Sequence, residues 1–261
     1  MNRKVDFFVC GVQKAGTTAL DMHLRTNPGV QMARVKEVHH FDDEAVDWSA
    51  PNHERLHGMF DWGVPAVLRG ECTPIYLYWP NALARLQRYN PSARLIVGLR
   101  HPSLRAFSHW RMETARGSET LPFSTAISAA GRNRVRCAPC GAHRVFSYVE
   151  RGQYAPQIRN LLEFFPRSQL HFYRTDALWA ETGRVLEELG KFLGASLDLP
   201  TRRRYVAPVR SADLGSMAME DREFLDDHYR DDIIETSKLI GMDLTDWLEP
   251  LYAEEMRPSD G

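Results

Sequence analysis

The sequence predicts an α/β fold, a three-layer α/β/α arrangement with a mainly parallel central sheet. Short apolar, β-rich segments alternate with amphipathic segments along the chain, which is typical of parallel sheets covered by helices. The first apolar segment runs directly into a glycine-rich loop and then a helix, as in P-loop-like folds. A length of 261 residues suits one domain, and we therefore expect a single domain over residues 1–261.

The opening of the chain is predicted to form a strand, a loop and a helix. VDFFVCGV (5–12) is a short apolar run that indicates a buried parallel strand. TTALDMHLRTN (17–27) is predicted to be helical, with Thr17 or Thr18 as its cap, and it ends before Pro28. This order places backbone N–H groups and a helix N-terminus around an anion.

Strands and helices continue to alternate through the rest of the chain. Residues 117–147 break this pattern with a long mixed segment, which in a compact domain is usually an excursion over a functional site or a surface loop. Further strands are predicted within 65–74, 93–102 and 168–178, and further helices within 81–90, 103–116, 154–165 and 183–194.

Charge and hydropathy exclude several classes of protein. A net charge of −1 lacks the basic surplus that coating a nucleic acid requires, so an anionic ligand must be held by a local cluster of cations. No run of ~18 apolar residues is available to span a membrane. The apolar stretch near the N-terminus is too short for a signal peptide. We therefore expect a cytoplasmic protein with no nucleic-acid or membrane partner.

The cysteines do not predict a metal site. Cys137-Ala-Pro-Cys140 is a C-x-x-C motif, but no second pair completes the usual ligand set for zinc. The motif is read as a surface loop with two reduced thiols or one local disulfide.

The glycine loop differs from an ATP-binding loop at the position of its lysine. Gly11 and Gly16 keep the spacing of G-x-x-x-x-G-K-[ST], but Thr17 stands where the lysine belongs. The lysine of this loop is Lys14. A later strand ends in Arg100, where an aspartate that binds Mg²⁺ would be expected. Because a guanidinium recognises anions and cannot ligate a metal, this combination disfavours Mg-ATP chemistry.

A second anion site is predicted at the end of the strand within 93–102. Arg100 ends that strand and Ser108 lies in the helix that follows, where ligands bind in open α/β sheets. A nucleotide with phosphates at both its 5′ and 3′ positions would satisfy the glycine loop and this second site together.

These motifs resemble the sulfotransferases that use 3′-phosphoadenosine 5′-phosphosulfate (PAPS). GVQKAGTTAL (11–20) resembles their 5′-phosphosulfate loop, and LIVGLRHPSLRAFSHW (95–110) resembles their 3′-phosphate motif. KEVHHFD (36–42) is similar to the E-V-H-F-F-D stretch of the heparan sulfate O-sulfotransferase branch, with His40 in place of phenylalanine. ECTPIYLY (71–78) is similar to the K-T-P-x-Y segment of that branch, with Cys72 where lysine is usual. Weaker similarity covers nearly the whole chain. From the short length and the lack of a membrane anchor we expect a bacterial member.

The resemblance implies a role for each candidate residue. Glu37 would be the general base that takes the proton of the acceptor hydroxyl, Lys14 would stabilise the leaving phosphate, and His39 would assist catalysis. PAPS would be the co-substrate, PAP (3′-phosphoadenosine 5′-phosphate) the product, and no metal would be required. The residues implied to bind the nucleotide are Lys14, Ala15, Gly16, Thr17, Thr18, Arg100, Ser108, Arg204 and Arg210, and those implied to contact the acceptor are Lys36, Asp42 and Tyr76.

The acceptor is expected to be a carbohydrate, a glycosylated metabolite or another small molecule that carries a hydroxyl. The excursion at 117–147 is expected to lie near the acceptor cleft, and its arginines Arg132, Arg134 and Arg136 would favour an anionic acceptor. Two alternatives stay open at this point: a non-catalytic module that binds PAPS or PAP, and a P-loop kinase.

Overall fold

The computed structural model describes residues 3–64, 67–198, 215–250 and 252–254. The chain forms two compact units. The first, here called the sheet unit, comprises the described residues of 1–99 and 161–198, and the second, the helical unit, comprises those of 100–160 and 215–254. The expectation of a single domain over 1–261 stays a prediction.

The sheet unit contains a parallel sheet of five strands, which confirms the predicted α/β class. The strands are β1 (Phe7–Gly11), β2 (Val30–Met32), β3 (Leu68–Cys72), β4 (Arg94–Leu99) and β5 (Leu170–Arg174). Their order across the sheet is β2-β3-β1-β4-β5, and every neighbouring pair is parallel. Four of the five strands lie where the sequence predicts them. Strand β2 was missed because three residues are too few to show a period.

The helices among the described residues follow the predicted alternation. The first helix begins at Thr17, but its N-cap is Gly16 in a left-handed conformation, and no side chain caps it, so the prediction of a threonine cap was wrong. The helices are α1 (Thr17–Arg25), α2 (Glu54–His57), α3 (Ala82–Tyr89), α4 (Pro102–Ala115), α5 (Phe123–Ile127), α6 (Ala129–Arg136), α7 (Tyr154–Phe164), α8 (Thr175–Ala180), α9 (Thr182–Leu193) and α10 (Met219–Ile240).

The core of the sheet unit joins β1 to two helices. Phe7 and Val9 of β1 are fully buried together with Leu20 and Leu24 of α1. Helix α9 adds an apolar face with the i, i+3/i+4 spacing of an amphipathic helix, formed by Val185, Leu186, Leu189 and Leu193. This packing fixes the direction in which α1 leaves the glycine loop.

The loops that follow β1, β2 and β3 meet at one edge of the sheet. The three strands are parallel neighbours, so their carboxyl ends lie side by side, which is where ligands bind in open α/β sheets. Two backbone hydrogen bonds tie these loops to neighbouring strands: Leu77 N–H donates to Cys10 O of β1 over 2.9 Å, and Ala33 N–H donates to Gly70 O of β3 over 2.8 Å. The segments at 33–42 and 73–77 are therefore each anchored to the next strand of the sheet.

The excursion at 117–147 is partly helical and lies in the helical unit. Ser128 caps α6 by accepting a hydrogen bond from Gly131 N–H over 3.2 Å. Arg132 pairs with Glu150 at 2.7 Å and Arg134 with Glu119 at 2.8 Å. These two arginines are engaged within their own unit, and their predicted role at an acceptor cleft stays a prediction.

No helix of the described residues combines the length and the apolar character that crossing a lipid bilayer would take.

We predict that Leu186→Ala lowers the free energy of unfolding by about 2–5 kcal/mol, because it leaves a cavity beside β1 and α1. Urea unfolding followed by circular dichroism measures the loss. Val64→Ala in the same unit is the matched control, since Val64 is 38% exposed and its truncation should change the free energy of unfolding by no more than about 0.5 kcal/mol. Equal losses in the two variants would contradict the assigned core.

Candidate active site

The glycine loop forms a turn with two left-handed residues. Lys14 has a φ of 76° and Gly16 a φ of 72°, a region that favours glycine, so the loop turns sharply before α1. A side chain at position 16 would also lie 3.3 Å from Leu178 Cδ2. Tyr173 of β5 anchors the loop, because its hydroxyl donates to Ala15 O over 3.3 Å. The loop therefore has a defined shape that only a glycine at position 16 fits well.

The loop exposes donors that suit a phosphate. The N–H groups in the first turn of an α-helix have no acceptor within the helix, and the helix dipole favours an anion there. In α1 these are the N–H groups of Thr17, Thr18 and Ala19. The side chain of Thr18 is exposed, whereas Thr17 is only 5% exposed and Ala15 is fully buried. Thr17 can thus serve an anion through its backbone N–H, whereas Ala15 N–H already donates to Val12 O over 3.2 Å.

A second turn, at 36–42, carries a row of charged side chains. Glu37 and His39 have φ values of 63° and 54°, and both side chains are more than a third exposed. Glu37 Oε2 lies 3.6 Å from His39 Nε2, which is an ion-pair distance and long for a hydrogen bond. On the other side of the ring, His39 Nδ1 lies 2.8 Å from Oδ2 of Asp42, which is fully buried. Lys36 Nζ donates to Glu37 Oε1.

Electrostatics keep Glu37 ionised and His39 protonated. Partial burial acts to raise the pKa of Glu37, but His39 and the charge of Lys36 outweigh it and lower this pKa to about 2. The hydrogen bond with Asp42, followed by the contact with Glu37, raises the pKa of His39 to about 9. At neutral pH Glu37 is therefore a carboxylate and His39 an imidazolium.

The adjacent histidine behaves in the opposite way. His40 is 1% exposed, and its Nε2 lies 2.8 Å from His53 Nδ1. Burial, followed by the charges of neighbouring groups, lowers the pKa of His40 to about 4, so this ring is neutral. Among the described side-chain contacts of these two histidines, those with carboxylates belong to His39.

Residues at the end of β3 and just after it support this turn. Glu71 at the end of β3 is completely buried, which raises its pKa to about 7. Cys72 is 1% exposed, and burial raises the pKa of its thiol well above the usual range. Tyr76 is also completely buried, and its hydroxyl accepts a hydrogen bond from His40 N–H over 3.0 Å. Tyr76 therefore contacts the turn through its hydroxyl. A contact of Tyr76 with the acceptor stays a prediction.

The helical unit contains the second predicted anion site. Arg100 forms a two-pronged ion pair with Glu254: Arg100 Nε lies 2.8 Å from Oε1, and Arg100 Nη2 lies 2.7 Å from Oε2. The two side chains are 17% and 8% exposed. Ser108 lies in α4 and is half-buried. Sequence reasoning missed Glu254, because it lies in a short irregular segment in which no motif or period marks it.

The remaining predicted residues fall outside this geometry. Arg204 and Arg210 lie outside the described residues. Cys137 and Cys140 are exposed free thiols, as one of the two readings of the C-x-x-C motif expects.

We predict that the His39 ring titrates at a pKa of about 9, well above the ordinary 6.5, because it lies between Asp42 and Glu37. A raised pKa means that this charge interaction stabilises the fold fully below pH 6.5 and is lost as the pH rises through 9. In Asp42→Asn the pKa should fall toward the ordinary value. Imidazole NMR titration measures this, and Asp43→Asn, which alters a carboxylate that pairs with Arg55 instead, is the control. A parent pKa near 6.5 would contradict the geometry.

The chain is similar in sequence to heparan sulfate sulfotransferases. It is 30% identical over 189 residues to heparan sulfate glucosamine 3-O-sulfotransferase 6 of Mus musculus, and the aligned region covers 70% of this chain and 51% of that protein. It is 27% identical over 288 residues to the bifunctional heparan sulfate N-deacetylase/N-sulfotransferase 3 of Homo sapiens, and the aligned region covers 95% of this chain and 31% of that protein. The chain spans about half the length of most curated relatives it matches, such as the first of these. No protein-family model matches it.

The fold is that of a solved sulfotransferase. A sulfotransferase from Alicyclobacillus acidocaldarius superposes with a TM-score of 0.80 at 25% identity, over 95% of this chain and 100% of that one. The sequence similarity and the shared fold, which includes the predicted strand–loop–helix opening and the parallel sheet, thus indicate the same family. The chain belongs to the family of PAPS-dependent sulfotransferases.

Proposed function

We propose that this protein transfers a sulfuryl group from PAPS to a hydroxyl of a carbohydrate, a glycosylated metabolite or another small molecule. The observation that carries the proposal is the row formed by Glu37, His39 and Asp42 at the same sheet edge as the glycine loop. A general base must be deprotonated and held in place, and His39 and Lys36 keep Glu37 deprotonated, although the same charges lower its basicity.

Glu37 serves as the general base in this proposal. The acceptor oxygen attacks the sulfur of PAPS, its proton passes to the Glu37 carboxylate, and the bond between sulfur and the 5′-phosphate oxygen breaks to release PAP. His39 positions Glu37, and Asp42 fixes the His39 ring by accepting from Nδ1. Because the charge of Lys36 helps to hold the pKa of Glu37 low, any anion that draws Lys36 away makes Glu37 a stronger base.

The glycine loop supplies the site for the 5′-phosphosulfate. The N–H groups at the start of α1 are oriented toward an anion, and Gly16 brings the backbone close to it. Lys14 neutralises the charge that develops on the leaving phosphate, as cations do in phosphoryl transfer. The residues of this loop therefore fit PAPS, and the chemistry they supply is electrostatic.

Arg100 and Ser108 are proposed to hold the 3′-phosphate. A carboxylate is a planar oxyanion that a guanidinium grips with two hydrogen bonds, and Glu254 is held by Arg100 in that way. The same two donors suit two oxygens of a phosphate. Arg204 and Arg210 are proposed as further contacts of the nucleotide.

A carbohydrate hydroxyl is the favoured acceptor. The relatives named above are heparan sulfate sulfotransferases, and the turn at 36–42 carries their E-V-H motif. Lys36 and Asp42 belong to this turn, and Lys36 is proposed to contact the acceptor.

We predict that Glu37→Gln lowers kcat by about 10²–10⁴ while the Kd for PAP changes less than about twofold, because a base acts in the transition state. Transfer of labelled sulfate to a glycan panel and calorimetric titration of PAP measure the two quantities. Glu163→Gln, on an exposed position of α7, is the matched control. Lys14→Ala should reduce both kcat and PAP affinity. Retained turnover in Glu37→Gln would exclude the assigned base, and PAP binding without any turnover by the parent would favour a non-catalytic module.

We predict that Glu254→Gln tightens PAP binding by roughly threefold or more, because the carboxylate competes with the 3′-phosphate for Arg100. Arg100→Ala should weaken PAP binding by about tenfold or more. Calorimetry measures both, and Glu235→Gln, which removes an exposed ion pair with Arg159, is the control. Unchanged affinity in both Glu254→Gln and Arg100→Ala would contradict the assignment of Arg100.

A further inference from the structure

Four consecutive backbone N–H groups of the turn that carries Glu37 are held by residues 71–76, at the end of β3 and just after it. Glu37 N–H donates to Cys72 O over 2.9 Å, and Val38 N–H donates to Glu71 Oε1 over 3.2 Å. The next two N–H groups also donate to side-chain oxygens: His39 N–H donates to Thr73 Oγ1 over 3.4 Å, and His40 N–H donates to the Tyr76 hydroxyl over 3.0 Å. Residues 71–76 thus hold residues 37–40 one N–H group at a time.

The turn requires such support because of its backbone conformation. Glu37 and His39 both have positive φ, which residues with a Cβ adopt only when the surroundings enforce it. Val38 between them is buried, at 2% exposure, whereas the side chains of Glu37 and His39 are 37% and 39% exposed. This alternation directs the two functional side chains away from the core and places them 3.6 Å apart.

Two side chains link the four contacts into one network. Glu71 Oε1 accepts from Val38 N–H and from the Thr73 hydroxyl, and the Thr73 oxygen in turn faces His39 N–H. Both side chains are completely buried, so water does not compete for these bonds. A buried carboxyl and a buried hydroxyl are costly unless they are hydrogen-bonded. Two of the donors here, Val38 N–H and His39 N–H, come from the turn, and Glu71 Oε2 has no hydrogen-bond partner among the described residues.

We propose that Glu71 and Thr73 are positioning residues that set the geometry of Glu37 and His39. The inference rests on the proposed function, since it names what holds the proposed base in place. Neither residue touches the reactants in this account. They act through the backbone of Val38 and His39, and their loss lets the turn leave the left-handed conformation that brings the two side chains together.

The test replaces Thr73 by residues of nearly the same shape. Thr73→Val removes the hydroxyl and keeps the branch, and Thr73→Ser keeps the hydroxyl. We expect Thr73→Val to lower kcat at least about tenfold with the KM for PAPS within about twofold, whereas Thr73→Ser stays within about threefold of the parent. Glu71→Leu and Glu71→Gln form a second pair, in which glutamine keeps an oxygen that can accept from Val38 N–H.

The pKa of His39 gives a readout that does not depend on sulfuryl transfer. In Thr73→Val the NMR pKa of His39 should fall from about 9, because the contacts with Glu37 and Asp42 that raise it depend on the turn. Retention of both kcat and the His39 pKa in Thr73→Val would overturn the proposal. Parallel loss of kcat, PAP affinity and thermal stability would also overturn it, because it would indicate a general structural role. If the parent transfers no sulfate, the proposed function fails and the His39 titration still decides this inference.

Discussion

The hydrogen bond between His39 and Asp42 connects the buried part of the sheet unit to the chemistry at its edge. Asp42 is completely buried and accepts from His39 Nδ1 over 2.8 Å, so the imidazole is held with Nε2 toward Glu37. The same contact keeps the ring protonated, and the ring in turn keeps Glu37 ionised. Through His39, this one buried residue therefore contributes to the orientation and, together with Lys36, to the charge of the proposed base.

The sheet topology explains why this row lies beside an anion-binding loop. Strands β2, β3 and β1 are consecutive in the sheet and all parallel, so the segments that leave them emerge at the same edge. The loop after β1 carries Lys14 and the turn after β2 carries Glu37, and the segment after β3 is hydrogen-bonded to the end of β1 through Leu77 and to the Glu37 turn through Thr73 and Tyr76. Parallel pairing thus gathers three segments that are distant in the sequence.

The sequence was informative where a residue's chemistry and its motif agreed. The strand–loop–helix opening and the alternation of strands and helices were predictable, because each has a local pattern. Glu37, His39 and Asp42 were singled out by the family resemblance and not by a local pattern. The helix cap was mispredicted because Gly16, which must adopt a positive φ, takes the position that threonine usually fills. The supporting roles of Glu71 and Thr73 and the ion pair of Arg100 with Glu254 depend on contacts between residues far apart in the chain, which no local pattern encodes.

We propose that the Glu37 carboxylate and the glycine loop, at one edge of the sheet, together transfer a sulfuryl group from PAPS. The most direct measurement is transfer of ³⁵S-labelled sulfate from PAPS by the parent protein to a panel of glycans, glycosylated metabolites and phenols, with Mg-ATP as the alternative donor. The account predicts labelled product on at least one hydroxyl acceptor, and stabilisation of the protein by PAP but not by Mg-ATP. Phosphate transfer from Mg-ATP, or no stabilisation by PAP, would contradict it.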